Sequence, residues 1–372
     1  MIILFKKTGK FLIFIFIAAI LISLSLKFIK NNSSTENYGV PREENSNSKN
    51  NSEFLITENS ENNSNFLVNE NWAVKFSMPT PRSGAASAVV DGKIYVIGGY
   101  SGLGQFSVNE RYDPETNTWD TLTPMPKSRS GAVAAVVDGK IYVIGGVDKD
   151  NNILSLNECY DLKTNNWTVL TSMPTPRAVP AIGVVNNKIY VIGGGDGNLL
   201  KFKYTNEMYD PLIDKWTVRK PMPTARSRPV FSVINNKIYV IGGWANDGIT
   251  NKNEVYDPET DVWTSLSPMP TPRTAAVAVS LNNKIYVIGG YSLEENSEKS
   301  FNEKIIFFQN NEEYNVNFNK WINRLSMSEA RAGIVGGLAN DKIYIIGGVS
   351  DYGFRGTINY SNLNEEYTLL IE

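Results

Sequence analysis

Histidine is absent from all 372 residues, and cysteine occurs once, as Cys159. Without imidazole there is no histidine-ligated zinc or copper site and no mechanism with histidine as general base. A single thiol forms neither an intrachain disulfide nor a cysteine-rich metal cluster. A charge surplus is missing too: 36 Lys+Arg stand against 38 Asp+Glu, so the chain has no basic footprint for nucleic acid. Any proton transfer would fall to carboxylates, Arg, Lys or Tyr. No metal or other cofactor is expected.

Long hydrophobic runs are scarce. The one uncharged stretch of note, "FLIFIFIAAILISLSL" from Phe11 to Leu26, lies between Lys6, Lys7, Lys10 and Lys27, Lys30. As a helix it would span about 24 Å, a little short of a bilayer core of about 30 Å, and the flanking lysines can snorkel. Residues 1–30 therefore read as a signal-anchor helix or a cleaved signal peptide. Ser23-Leu24-Ser25 is a poor cleavage site, and lysines follow at once, which favours the anchor. Residues 31–65, rich in Asn, Ser and Glu, read as a disordered linker. The expectation is a folded domain over 66–372, held outside the cytoplasm on a membrane tether, or secreted if the leader is removed.

What remains is repetitive. "KIYVIGG" occurs at 93–99, 140–146, 188–194, 237–243 and 284–290, and "KIYIIGG" at 342–348. Each glycine pair (Gly98-Gly99, Gly145-Gly146, Gly193-Gly194, Gly242-Gly243, Gly289-Gly290, Gly347-Gly348) begins 26 residues after a tryptophan: Trp72, Trp119, Trp167, Trp216, Trp263 or Trp321. Ten residues after each tryptophan comes an arginine: Arg82, Arg129, Arg177, Arg226, Arg273 or Arg331. Turn pairs such as Asp91-Gly92 and Asn186-Asn187 precede each Lys-Ile-Tyr, and these residues tolerate the positive φ of tight hairpins. A further strand opens with Asn-Glu-x-Tyr, as at Asn109/Tyr112 and Asn364/Tyr367. Each repeat thus holds four short antiparallel strands.

That period, with its glycine pair, arginine, tyrosine and tryptophan, resembles the kelch repeat, and the resemblance covers about residues 66–372. It implies an all-β fold, a six-bladed β-propeller. The first tryptophan precedes every glycine pair, and the last Asn-Glu-x-Tyr strand has no tryptophan after it. One blade is therefore expected to be split, with the strand of Trp72 completing a sheet whose other strands are C-terminal and closing the ring. The tryptophans are expected as wedges between blades, the repeated Arg and Glu as hydrogen-bonding partners, and Cys159 as a small core residue.

Candidate sites lie where the repeat fails. The segment between glycine pair and Asn-Glu varies in length, and in four antiparallel strands it shares a face with the fourth-to-first connection, where the arginines stand. Kelch propellers with known ligands usually bind there, so the resemblance points to the same face. Arg228 replaces a residue that is Gly84, Gly131, Val179, Ala275 or Gly333 elsewhere, and its fork suits a carboxylate or phosphate, or a salt bridge to a loop acid. Tyr100, Trp244 and Tyr291 directly follow glycine pairs, suited to sugars or peptides or to capping the core. Phe354 and Arg355 are offered by the last loop. Asp148, Asp150, Asp196 and Asp247 read as solvated turn residues.

Two functions fit. One is a binding module for a protein, peptide or glycan, with the membrane reached through the N-terminal helix and no nucleic-acid partner. The alternative comes from the resemblance: some exported bacterial kelch propellers are sialic acid mutarotases, whose sugar-ring chemistry needs an acid/base pair at the central mouth but no metal or histidine.

Overall fold

The computed structural model describes residues 51–58, 65–196, 202–294, 304–352 and 358–371. The helix expected over 1–30 lies outside them, as does most of the linker expected over 31–65. Among the described residues there is no helix, and hence none long and apolar enough to cross a membrane.

The repeated pattern becomes repeated sheets. Each "KIYVI" run is rich in β-branched and aromatic side chains, which pack well on a pleated surface, and each is preceded by a two-residue turn at positive φ, such as Asn186 (φ 51°) and Asn187 (φ 58°). Sheet 1 comprises Ala86–Val90, Lys93–Ile97, Asn109–Asp113 and Thr118–Leu122. Sheet 2 comprises Val133–Val137, Lys140–Ile144, Asn157–Asp161 and Asn166–Leu170. Sheet 3 comprises Ala181–Val185, Lys188–Ile192, Asn206–Asp210 and Lys215–Arg219. Sheet 4 comprises Val230–Ile234, Lys237–Ile241, Asn253–Asp257 and Val262–Leu266. Sheet 5 comprises Val277–Leu281, Lys284–Ile288, Asn311–Asn315 and Lys320–Arg324. Sheet 6 joins Val335–Ala339, Lys342–Ile346 and Asn364–Ile371 to the N-terminal strand Asn65–Lys75. All pairings are antiparallel, with Trp72 opposite Tyr367 in sheet 6 as Trp119 is opposite Tyr112 in sheet 1. The first strands neighbour one another in cyclic order, sheet 6 lying beside both sheet 5 and sheet 1.

The core lies between sheets. Val133, Ala135, Tyr142, Ile144 and Cys159 of sheet 2 pack against Ile182, Ile189, Val191 and Tyr209 of sheet 3. Burying one Val or Ile contributes about 1.5–3 kcal/mol, and the pattern recurs at each junction. The glycine pairs sit where junctions are tightest. Gly98 adopts φ 67°, and a Cβ there would stand 2.6 Å from the Arg129 carbonyl of the next sheet. The amide of Gly99 donates to that same carbonyl at 2.9 Å. Only glycine meets both demands.

The tryptophans are less deep than wedges would be. Trp72 is buried, whereas Trp119, Trp167, Trp216, Trp263 and Trp321 are half-buried. Each instead reaches across a junction by its Nε1–H: Trp119 donates to the Phe76 carbonyl (2.8 Å), Trp167 to Thr123 (3.0 Å) and Trp72 to Leu325 (2.9 Å).

One expectation is corrected. Asn51–Glu58, within the stretch read as a disordered linker, is a strand that pairs with Asn65–Lys75 and makes sheet 6 five-stranded. The open edge of Asn65–Lys75 offers unpaired backbone N–H and C=O groups, and "EFLIT" has the composition to pair with them.

Candidate functional site

The repeat arginines, expected near the variable loops, are consumed in the fold. All six are fully buried, and each pairs with the Glu of its own sheet's Asn-Glu-x-Tyr strand. Arg177 meets Glu207 at 2.8 Å, Arg226 meets Glu254 at 3.0 Å and Arg273 meets Glu312 at 3.0 Å. Arg82–Glu110, Arg129–Glu158 and Arg331–Glu365 form the equivalent pairs. In sheets 1 to 5 the same guanidinium also donates to a second-strand valine carbonyl, for example Arg226 to Val240 at 2.8 Å. Burial lowers the guanidinium pKa, to about 10 in Arg177, Arg226 and Arg273, the partner glutamate working against it, so these guanidinium groups stay charged at neutral pH. These pairs tie the fourth-to-first connection to the sheet. They occupy these six glutamates within the sheets.

The mouth, where the six first strands converge, is framed by backbone. The amide of Gly131 donates to the Gly84 carbonyl (2.8 Å), Val179 to Gly131 (2.7 Å), Arg228 to Val179 (2.9 Å), Ala275 to Arg228 (3.3 Å), Gly333 to Ala275 (2.8 Å) and Gly84 to Gly333 (3.0 Å). The six links form a collar with no end. Every member has positive φ, from 47° at Val179 to 63° at Gly131. Half of the collar is bare glycine; the other half carries Val179, Arg228 and Ala275, side chains that pay roughly 1–2 kcal/mol each for a left-handed conformation.

Arg228 is thus held at its backbone by two collar bonds. Its side chain is half-buried beside the Tyr291 hydroxyl, and the Thr274 hydroxyl donates to its carbonyl at 3.2 Å. Burial pushes the Tyr291 pKa up, and the adjacent guanidinium works in the opposite direction. Among the described residues no carboxylate stands within ion-pair distance of Arg228, so the salt bridge to a loop acid is not made there.

The aromatics divide. Trp244 and Tyr291 are only 8% and 5% exposed, so they cap the core more than they offer a surface. The cause is local: the variable segments fold back as small hairpins, Trp244–Ala245 with Gly248–Ile249 and Tyr291–Leu293 with Ile305–Phe307. Tyr100, in the hairpin Tyr100–Ser101 with Gly104–Gln105, is half-buried and meets Tyr360 edge-on, with ring centroids 5.9 Å apart. Leu103, at the tip of that hairpin, is 93% exposed. Phe354 and Arg355 lie outside the described residues.

Asp148 was not legible as the buried group it is. Its carboxylate accepts the amides of Asp150 and Asn152 (3.0 Å each) and the Asn152 side chain, and pairs with Lys127 at 3.1 Å. Burial works to raise its pKa, but these bonds prevail and hold it at about 2. The signal was available as Asp-x-Asp-x-Asn, a loop that folds onto its first side chain. Among the described residues no group of three His, Cys, Asp or Glu is arranged to hold a metal ion.

Comparison with known proteins places the chain. The family model described as the Attractin/LZTR1 β-propeller matches residues 94–357. Two F-box/kelch-repeat proteins of Arabidopsis thaliana are 44% identical over 54 residues and 46% identical over 46 residues. These matches cover 14% and 12% of this chain but only 16% and 13% of the plant proteins. A solved structure titled "Structure of YjhT" aligns with TM-score 0.68 and 20% identity, over 79% of this chain and 99% of that one, a likeness of fold.

Proposed function

Since the chain belongs to the Attractin/LZTR1 β-propeller family and is a kelch-repeat propeller, we propose that it is a recognition module, a six-bladed ring closed by its N-terminal strand that binds a protein, peptide or glycan on its variable-loop face. Six sheets, the collar and the bond from Trp72 to Leu325 support the closed ring. Folds do not fix functions, so the reading rests on the site. The observation that carries it is that every repeated arginine is spent inside its own sheet, leaving Arg228 as a half-buried cation at the mouth, flanked by loop hairpins of unequal length.

Arg228 would supply a fixed charge-assisted contact to an anionic group of the ligand. Tyr100 and Leu103 would supply apolar area on one side. The alternative, sugar-ring isomerisation, requires an acid/base carboxylate beside that cation, and among the described residues none stands within ion-pair distance. Binding is therefore the reading the geometry favours. The N-terminal segment ahead of the strand Asn51–Glu58, read as an anchor and linker, would tether this face outside the cytoplasm; protease accessibility on intact cells tests that.

The functional test is a binding screen of sugar acids, neutral glycans and acidic peptides against the full chain and Arg228→Ala. A ligand bound by the wild type and lost in the variant is the expected result. A ligand bound equally by both moves the site off the mouth, and turnover of a sugar anomer by the wild type replaces binding with isomerisation.

A further inference from the structure

The fourth strand of each sheet is laid down last, on the outside. In sheets 1 to 5 it pairs only with the third strand, so alternate backbone N–H and C=O groups face outward. In sheet 6 that edge is covered by Asn51–Glu58, whose sequence NSEFLITE sets Phe-Leu-Ile between Glu53 and Glu58. We propose that the edge of sheet 3, Lys215–Arg219, is a second docking site, distinct from the mouth, and that it takes an extended, acidic and apolar segment of a partner protein as a fifth strand.

Three observations single out this edge. First, exposed apolar side chains bracket it. Leu212 and Ile213 lie in the turn that leads into the strand, and Leu212 is 91% exposed. Val218, within the strand, is exposed as well. Tyr204, also exposed, stands at the far end, two residues before Asn206, the partner of Arg219. At the Leu212-Ile213 positions the other turns carry Glu115-Thr116, Lys163-Thr164, Glu259-Thr260 and Asn317-Phe318, so the repeat itself does not call for an apolar pair. A cluster of this kind marks an interaction surface. Second, the turn is held in place. Asp210 accepts the Leu212 amide at 3.1 Å, and Asp214 accepts the Tyr209 hydroxyl at 2.6 Å and the Thr171 amide at 3.0 Å. The apolar pair is thereby kept outside the core, and a preformed edge loses little freedom when a strand adds to it. Third, the edge is basic. Lys215 and Arg219 belong to the strand and Lys220 follows it. Arg219 is matched in part by Asp261 at 3.6 Å, whereas Lys215 is exposed and makes no ion pair among the described residues. The fourth strands of sheets 1, 2 and 4 carry no Lys or Arg, and in sheet 5 Arg324 is buried between Glu70 and Glu313. The outward amides and carbonyls supply pairing to any strand. The apolar cluster and the cations select one with apolar and acidic side chains, the composition that already covers sheet 6.

The test uses the purified full-length chain and a fluorescein-labelled NSEFLITE peptide, read by anisotropy and by amide hydrogen exchange. Slowed exchange is expected over Lys215–Arg219. The same peptide with both Glu replaced by Lys should bind about tenfold more weakly, and the gap should close at high salt. Leu212→Ser combined with Ile213→Ser should weaken binding about tenfold, as should Lys215→Glu, with thermal midpoints unchanged because these side chains are exposed. Methylating alternate peptide amides should abolish binding in one phase and spare it in the other, as main-chain pairing demands. Arg228→Ala should leave binding unchanged. No binding of the peptide, or protection on Asn65–Lys75 in place of Lys215–Arg219, overturns the site. Tolerance of both methylation phases overturns strand addition, and equal binding of the lysine peptide overturns the acidic preference. Loss of binding in Arg228→Ala overturns independence from the mouth. Binding of the chain to anionic vesicles that the Leu212/Ile213 variant loses assigns the cluster to a membrane surface instead.

Discussion

Sheets 1 to 5 and sheet 6 solve one problem in two ways. In each of the first five, the turn between third and fourth strands holds an Asn or Asp two residues before the tryptophan: Asn117, Asn165, Asp214, Asp261 or Asn319. That side chain accepts the hydroxyl of its own sheet's tyrosine and an amide of the preceding sheet, as Asn319 does from Tyr314 (2.7 Å) and Ser267 (2.8 Å). Sheet 6 has no such turn, because the chain is cut there. Glu70 stands two residues before Trp72 and, from a strand, accepts the Leu325 amide at 2.5 Å and the Arg324 guanidinium at 2.8 Å, while Arg324 also bonds Glu313 at 2.7 Å. The longer side chain spans the gap that a turn would have closed. The same junction is thus made by a neutral or singly charged turn residue in five places and by a buried ion triad in the sixth. What is shared is the bond accepted from an amide of the preceding sheet; the connectivity of the chain is not required for it.

The sharpest way to break this comparison is Glu70→Ala. It leaves Arg324 buried with one partner fewer and should cost about 3–5 kcal/mol, against about 1–2 kcal/mol for Asn319→Ala. Denaturant midpoints measure both, and equal costs would mean that the cut junction is not special. Next in size, Trp72→Ala should cost about 3–5 kcal/mol, and Trp119→Ala less, because Trp72 is buried and Trp119 only half so. A third comparison sets the Asp148 loop against the rest. Its carboxyl is held at about 2, below its ordinary 3.8, so its contribution is present above pH 3.8 and is lost as pH falls toward 2. Asp148→Asn should therefore flatten that stretch of the acid unfolding curve. The smallest effect has the opposite sign. Arg228→Gly relieves a left-handed backbone and should raise stability by about 1 kcal/mol while abolishing the binding proposed for the mouth; a stability loss would place Arg228 among the structural arginines.

Much of the framework was readable before any coordinates. The hairpin pairs had to be turns, and the glycine pairs had to mark crowding, because Asn, Asp and Gly bear positive φ cheaply and nothing else explains their regular spacing. Arg and Glu, present in every repeat, read as hydrogen-bonding groups within or between blades, and the structure pairs them with each other inside each sheet. The deviations were harder. Trp244 and Tyr291 suit a ligand or the core equally well in the sequence, and only the doubling back of their segments as hairpins decides for the core. Asp148 looks solvated until its loop closes on it. The strand Asn51–Glu58 is disguised by polar neighbours and depends on an edge that exists only once sheet 6 has formed. Glu70 could have been found by alignment of the repeats on tryptophan, where one Glu replaces five Asn or Asp.

The collar has a bearing on how such a protein can change over time. Six donors and six acceptors are joined head to tail in one rotational sense, so the circuit has no terminus to fray and no spare group to bond a seventh member. Inserting or deleting one repeat would strand a donor and an acceptor or force the whole circle to a new curvature. Yet only main-chain atoms are used, so the side chains at these positions remain open to drift. The count of repeats is locked by the same circuit that leaves the mouth's chemistry, Arg228 included, to vary.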